Sequence, residues 1–296
     1  MTALAASSED AHMTTADRIA VRRRRSVSRP LLYGALVLCA LLTLLPFLWV
    51  ISGSLRSLDE IRSDPGAWLP HHLTFDNFER LFRTEGFGRF LVNSIVVAVM
   101  VVAGNIVAAS AAGYALAKLD FAGRRIAFAA VMGAMMVPLT TVFVTQFVIT
   151  VDLGLADTLT GIALPSLALP LSVFIMRQYA MSIPDELLEA ARIDGAGEFR
   201  IFFGIFLPLA GPAVATITIM SFLNAWNNFL WPLIVAQSMS GYTLPVGLAA
   251  TSQAAAHVTD YGLMLAGAIV VMLPVLVLFL FLQRYFVQGV AGTGMR

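Results

Sequence analysis

The segment EAARIDGAGEF, Glu189 to Phe199, gathers Glu189, Asp194 and Glu198 around Arg192 in a chain that otherwise carries few charges. Upstream it reads SIPDELLEAARIDG, the pattern of a helix of about three turns. Ser182 is placed to cap that helix, Pro184 suits its first turn, and Asp185 and Glu186 favour the positive end of its dipole. Gly195 supplies a left-handed residue that stops it. Leu187, Leu188, Ala190, Ala191 and Ile193 alternate with Glu186, Glu189, Arg192 and Asp194. Small alanines admit another backbone at close range, and flanking charges give directional contacts. The chemistry on offer is recognition of another protein. A helix lying passively at a membrane surface fits the same residues equally well.

Catalytic chemistry is not written here. A phosphate-cradling loop needs a lysine behind a glycine, and the single lysine, Lys118, follows Ala117. No HExxH, no intramembrane aspartate pair and no GxSxG occurs. His71 and His72 lack nearby cysteines and a ligand spacing, so they read as loop surface; with Trp68 and the mixed charges up to Glu85 they could meet a partner outside the membrane. Cys39 stands alone in an apolar run and has no intrachain disulfide partner. No catalytic, cofactor-binding or metal residue is therefore assigned.

The elements that must hold the charged segment are spans. Hydrophobic residues make up 58% of the chain and charged residues 12%, against about 25% charged in an ordinary soluble domain, and the mean hydropathy is +0.82. A crossing helix needs about 20 apolar residues. Six segments qualify: Leu31 to Ile51, Phe90 to Leu116, Ile126 to Ile149, Leu159 to Met176, Phe202 to Val235 and Tyr261 to Leu282. Sorted by alternating sides, 14 of the 19 basic residues fall with the two termini and the charged segment, which places all three in the cytoplasm. The expectation is an all-α polytopic membrane protein with six transmembrane helices and a cytoplasmic helix between the fourth and fifth. Residues 1–30 form a tail whose first 20 or so read as disordered, 31–283 the transmembrane domain with the cytoplasmic loop at 177–208, and 284–296 a second tail. Arg22 to Arg25 and Arg29 act as a topology anchor ahead of the first span, not as a nucleic-acid patch.

The fifth segment is the odd one. Nothing from Ile201 to Thr259 is charged, yet one helix through the whole segment would be about 50 Å long against a hydrocarbon core of about 30 Å. Pro208 and Pro212 should bend its cytoplasmic end, leaving Ile201 to Leu207 as an interfacial approach. Gln237 to Thr259 becomes an outside loop that dips into protein or touches a partner. Asn224, Trp226, Asn227 and Asn228 are the candidate substrate-pathway residues, because amides and aromatic faces suit sugars. The competing reading, which is preferred, has these asparagines, Gln146 and Asn105 bonding to neighbouring helices, and Trp231 seated in the interfacial belt.

The order Glu189, Ala190, Ala191, three residues, Gly195, nine residues, Ile205, one residue, Leu207, Pro208 resembles the EAA motif of the permease subunits of bacterial ABC importers. The likeness extends over about residues 30–290: a Pro-Phe pair in the first span, TFDNF at Thr74, NSI at Asn93, AGYALAKLDFAGRR at Ala112, MVPL at Met136, AWNNFLWPL at Ala225, LPVGL at Leu244 and LQRYFVQG at Leu282 are similar to the carbohydrate branch, near the maltose-type second permease. The C-terminal AGTGMR departs from the lysine and glycine pair of many relatives. The resemblance implies an inner-membrane subunit that pairs with a second, related permease, a dimer of cytoplasmic ATPases that bind ATP and Mg, and an extracytoplasmic binding protein that delivers a sugar. It implies coupling to the ATPase through Glu189, Ala190, Ala191, Asp194, Gly195, Ile205, Leu207 and Pro208, and no cofactor in this chain. An ion-coupled transporter or channel, the alternative, would bury ionisable residues within its spans, and these six carry none internally.

Overall fold

The computed structural model describes residues 15–254 and 260–293. Among them every regular element is helical. In chain order these are α1 (Thr15–Ser54), α2 (Leu58–Ser63), α3 (Asp76–Arg83), α4 (Phe87–Lys118), α5 (Arg124–Met136), α6 (Leu139–Asp152), α7 (Leu159–Ala163), α8 (Pro170–Ser182), α9 (Asp185–Ile193), α10 (Glu198–Ile201), α11 (Leu207–Leu209), α12 (Gly211–Trp226), α13 (Leu230–Val235), α14 (Leu244–Ala254) and α15 (Tyr261–Thr293). Both expected tails are partly helical: α1 begins at Thr15, and α15 continues to Thr293. Residues 1–14 and 294–296 lie outside the described residues, as do 255–259.

Three helices, α1 from Pro30, α4, and α15 to Gln283, are long and apolar enough to cross a membrane, and three bent pairs raise the number to as many as six. Proline makes the bends. The segment expected as one span from Ile126 to Ile149 turns by 105° between α5 and α6, where Val137 is extended ahead of Pro138. The segment from Leu159 bends by 45°, with Leu169 extended before Pro170, and its second half runs on to Ser182 rather than stopping at Met176. The fifth segment bends by 75° between α11 and α12. Ahead of Pro208, Phe202–Phe206 forms a π turn in which the Leu207 N–H bonds to the Phe202 carbonyl. The helix then ends at Trp226 instead of Val235; Asn227 and Asn228 are not helical, and α13 is a separate short piece.

α4 is the central post, packed on α8 and α12. A Cβ at Gly113 would lie 2.6 Å from Met176 Cγ and 2.9 Å from the Arg177 backbone nitrogen, so the α4–α8 crossing depends on the bare glycine. Asn105, fully buried on α4, clamps the break before α8: its amide donates to the Ser166 carbonyl at 2.6 Å and its oxygen accepts the Leu169 N–H at 2.9 Å. That is the inter-helix role preferred for it above. Asn105→Leu keeps the volume and leaves both partners unpaired in an apolar setting, about 1–3 kcal/mol for each. The thermal unfolding midpoint of the purified protein should fall by several degrees, and an unchanged midpoint would remove the clamp from the account.

The loops are folded too. Between α1 and α3 a buried Arg56 donates to the Glu60 carboxylate at 3.1 Å and to the carbonyls of Asp64 and Ala67. Arg80 of α3 pairs with Asp260 at 2.5 Å, lashing this loop to the start of α15. The uncharged stretch after Gln237 does dip into protein: Leu244 and Val246 are buried, the Leu244 N–H donates to Ser94 Oγ, and the Asn93 amide donates to the carbonyls of Ser240 and Tyr242. Asp157 accepts from the Ser238 hydroxyl and from the N–H groups of Ser238 and Gln237, bonds that hold its carboxyl below the usual range.

Candidate functional site

Helix α9 begins after Pro184 with no side-chain cap. The capping role expected of Ser182 is not realised, because α8 runs to that residue and its hydroxyl donates back to the Tyr179 carbonyl at 2.7 Å. Asp185 is held elsewhere. Lys118, the last residue of α4 and almost wholly buried in its side chain, donates to Asp185 Oδ1 at 2.5 Å and to the Ile183 carbonyl at 2.5 Å. The hydrogen bond and charge of Lys118 lower the Asp185 carboxyl below its usual value.

At the other end, Gly195 has φ of 82°. Its N–H bonds to the Arg192 carbonyl and the Ala196 N–H to the Ala191 carbonyl, both at 3.0 Å. This is the double-bonded glycine cap of a helix C-terminus. Across the turn Arg192 Nε meets Glu198 Oε1 at 2.7 Å, while Tyr114 donates its hydroxyl to Glu198 Oε2 at 2.8 Å. The Glu198 bond raises the Arg192 pKa further above its ordinary value. Tyr114 and Lys118 are one helical turn apart, so a single face of α4 grips both ends of the loop.

The motif residues divide by direction. Ala191 and Ile205 are half-buried against the cluster of Tyr114, Met176, Leu188, Ile201, Phe206 and Ile217. Leu207 is half-buried. Glu189, Ala190, Asp194, Gly195 and Pro208 are exposed. Beside them stand Ile193, 87% exposed, and Phe199, 83% exposed. Two bare apolar side chains thus stand among charges on the outer side of the loop. Sequence reasoning assigns Tyr114 and Lys118 no part in holding the loop. Both fall in the AGYALAKLDFAGRR stretch that carries the resemblance, but nothing in that stretch says what either would touch.

Asn224, Asn227 and Asn228 come together, with Gln146, Phe143 and Trp231, around a cavity of about 430 Å³. Trp226 does not join them: it is 1% exposed, stacks on Phe222 with centroids 5.4 Å apart, and donates its indole N–H to the Val271 carbonyl. Nor is Trp231 in an interfacial belt, since it is buried and bonds to the Gly161 carbonyl at 3.2 Å. The cavity offers amides from two bent spans and one aromatic wall.

The Lys118–Asp185 tie carries a pH signature. A carboxylate whose folded pKa lies below its unfolded value, about 3.9, adds stability that is present above that unfolded value and is lost as the pH falls through the folded one. Protection of the α9 amides, taken relative to the intrinsic exchange rate at each pH, should therefore fall on acidification, and Asp185→Asn should flatten that dependence. An identical acid response in the variant would assign it to other groups.

Residues 104–292 match the family described as binding-protein-dependent transport system inner membrane component. The chain is 38% identical over 260 residues to the arabinooligosaccharides transport system permease protein AraQ of Halalkalibacterium halodurans, covering 87% of this chain and 92% of that one. It is 39% identical over 275 residues to the protein of the same name from Bacillus subtilis, covering 92% and 97%. In three dimensions it matches a chain of a bacterial ABC transporter involved in import of the acidic polysaccharide alginate, with a TM-score of 0.74 at 27% identity over 93% of this chain and 99% of that one.

Proposed function

Because this chain belongs to the binding-protein-dependent transport system inner membrane components, a family of membrane-embedded transport permeases and not of enzymes, we propose that it forms half of the translocation pathway of an ATP-driven carbohydrate importer. The observation that carries the proposal is the loop of α9 and α10, capped at Gly195, gripped by Tyr114 and Lys118, and presenting Glu189, Ala190 and Asp194 outward.

In this reading each bent pair is one crossing, which gives six spans, and the basic residues put both termini and the α9 loop in the cytoplasm. Helix α9 seats in a cleft of a cytoplasmic ATPase, and a second, related permease completes the pathway. The ATPases bind ATP and Mg; this chain binds neither. Closure of the ATPase pair on nucleotide and arrival of the loaded binding protein both favour the outward-open state, a two-state switch biased from two ends. The folded first loop, fixed to α15 through Arg80 and Asp260, faces the binding protein. The cavity at Asn224, Asn227 and Asn228 lies on the sugar's route, where its amides match hydroxyl groups; Trp226, buried behind it, supports α12 against α15. Oligosaccharides are the substrate class that the relatives' names suggest. The ion-coupled alternative has no support in the family or in the spans.

The test is uptake by the complete importer in proteoliposomes, with the binding protein and a panel of oligosaccharides. Accumulation should require ATP and the binding protein together. Uptake driven by an ion gradient alone would overturn the proposal.

A further inference from the structure

A second cavity, of about 660 Å³, opens where α4 ends and α5 begins, and Arg124, Arg125 and Arg177 line it with a single acid, Asp120. Helix α5 starts on Arg124 and Arg125 with no acid in its first turn and no side-chain cap. Cations at the positive end of a helix dipole are unfavourably placed. Arg124 donates to the carbonyls of Leu116 at 2.8 Å, Ala117 at 2.9 Å and Leu119 at 3.3 Å. Arg177 donates to the Leu116 carbonyl at 3.4 Å while lying 3.9 Å over the Phe128 ring. These C-terminal carbonyls of α4 hold the two guanidinium groups in place with N–H donors to spare. The exposed Arg125 side chain makes no hydrogen bond or ion pair among the described residues, and no carboxylate there lies within ion-pair distance of any of the three, although the charge of Arg124 is felt at Asp185. An anion seated in the cavity would meet three guanidinium groups and a helix N-terminus at once.

The surroundings choose the anion. Phe121 and Ile126 flank the cavity and are 42% and 76% exposed, so apolar side chains border the charges. The cavity also sits at the ends of apolar helices, the depth at which lipid headgroups lie. We propose that it holds the phosphate of an anionic phospholipid, with the arginines on the headgroup and the apolar rim along the acyl chains. This rests on the chain being embedded in a membrane and does not depend on which side the loop faces.

The complete importer, purified into nanodiscs of phosphatidylcholine with a minority of phosphatidylglycerol, tests it by mass spectrometric counting of retained phosphatidylglycerol. Arg125→Gln with Arg177→Gln should weaken retention about 30-fold, at about 1 kcal/mol for each arginine. Arg125→Lys, which keeps the charge on an exposed side chain, should retain the lipid, and Arg125→Gln alone should lose part of it without threatening the fold. Equal retention by the wild type and the Gln variants would overturn the site. Displacement of the lipid by millimolar inorganic phosphate would assign the cavity to a soluble anion instead. Loss of the ATPase subunits at unchanged lipid retention would make it a protein contact.

Discussion

Importers carrying Glu189→Lys or Gly195→Asp keep the subunit in the membrane but lose the link between ATP hydrolysis and solute movement, with uptake per ATP falling at least tenfold. Glu189 is exposed on α9, so reversing its charge leaves this chain's core untouched and, in the proposed docking, puts a cation where the partner would receive a carboxylate. Like-charge contact at an interface costs several kcal/mol, enough for the loss. Gly195 acts through the backbone. Its φ of 82° lies where L-residues are strained, by about 1–2 kcal/mol. Space is not the issue, since a Cβ there would meet nothing within 4 Å. Aspartate tolerates the left-handed region better than most residues, yet adds an anion at the negative end of the helix dipole. Gly195→Asn has the same shape without the charge and should keep most of the coupling. The measurements are labelled-sugar uptake and phosphate release on the same proteoliposomes. Normal uptake by a stably assembled Glu189→Lys, Gly195→Asp double variant would refute the docking role.

How far the sequence reached depended on what each residue's role requires. The helix at Asp185–Ile193, its glycine stop, and the apolar span of α4 follow from local rules, and all three stand. The breaks at Pro138 and Pro170 were legible in principle, since a proline inside an apolar window bends it, but apolar length outweighed them in the reading of single spans. Pro208 and Pro212 predict a bend and it lies between them, though the π turn at Phe202–Phe206 has no sequence signature. The grip on the loop was not visible. Tyr114 finds Glu198 across 84 positions and Lys118 finds Asp185 across 67, pairings that tertiary packing of α4 against α8 and the Phe202–Phe206 turn creates. The two tryptophans mislead for a related reason: an indole suits a sugar, an interface belt or a core, and only the burial of Trp226 and Trp231 decides among them.

The same dependence on packing makes Gly161, which no motif marks, a position where a side chain should cost the fold heavily. A Cβ there would stand 2.1 Å from the Leu155 carbonyl oxygen and 3.1 Å from Thr150 Cγ2. The carbonyl cannot simply swing away, because it accepts the Thr158 hydroxyl at 2.7 Å, and Thr158 Oγ1 in turn accepts the Gly161 N–H at 3.0 Å. Gly161's own carbonyl holds the buried indole of Trp231. A displaced α7 therefore disturbs the cap, the turn at Leu155 and the cluster of Val97, Val101, Ile162 and Trp231 together. Overpacking of a closed site costs about 1–3 kcal/mol, occasionally more. With the Trp231 bond strained as well, Gly161→Val should prevent accumulation of the subunit, and Gly161→Ala should lower its thermal midpoint. Gly133, on α5 with nothing within 4 Å of a Cβ, is the matched control: Gly133→Ala should be neutral or stabilise by up to about 1 kcal/mol, the helix penalty of glycine relative to alanine. Equal midpoints for Gly161→Ala and Gly133→Ala would mean that the α7 turn relaxes freely and that its close approach constrains nothing.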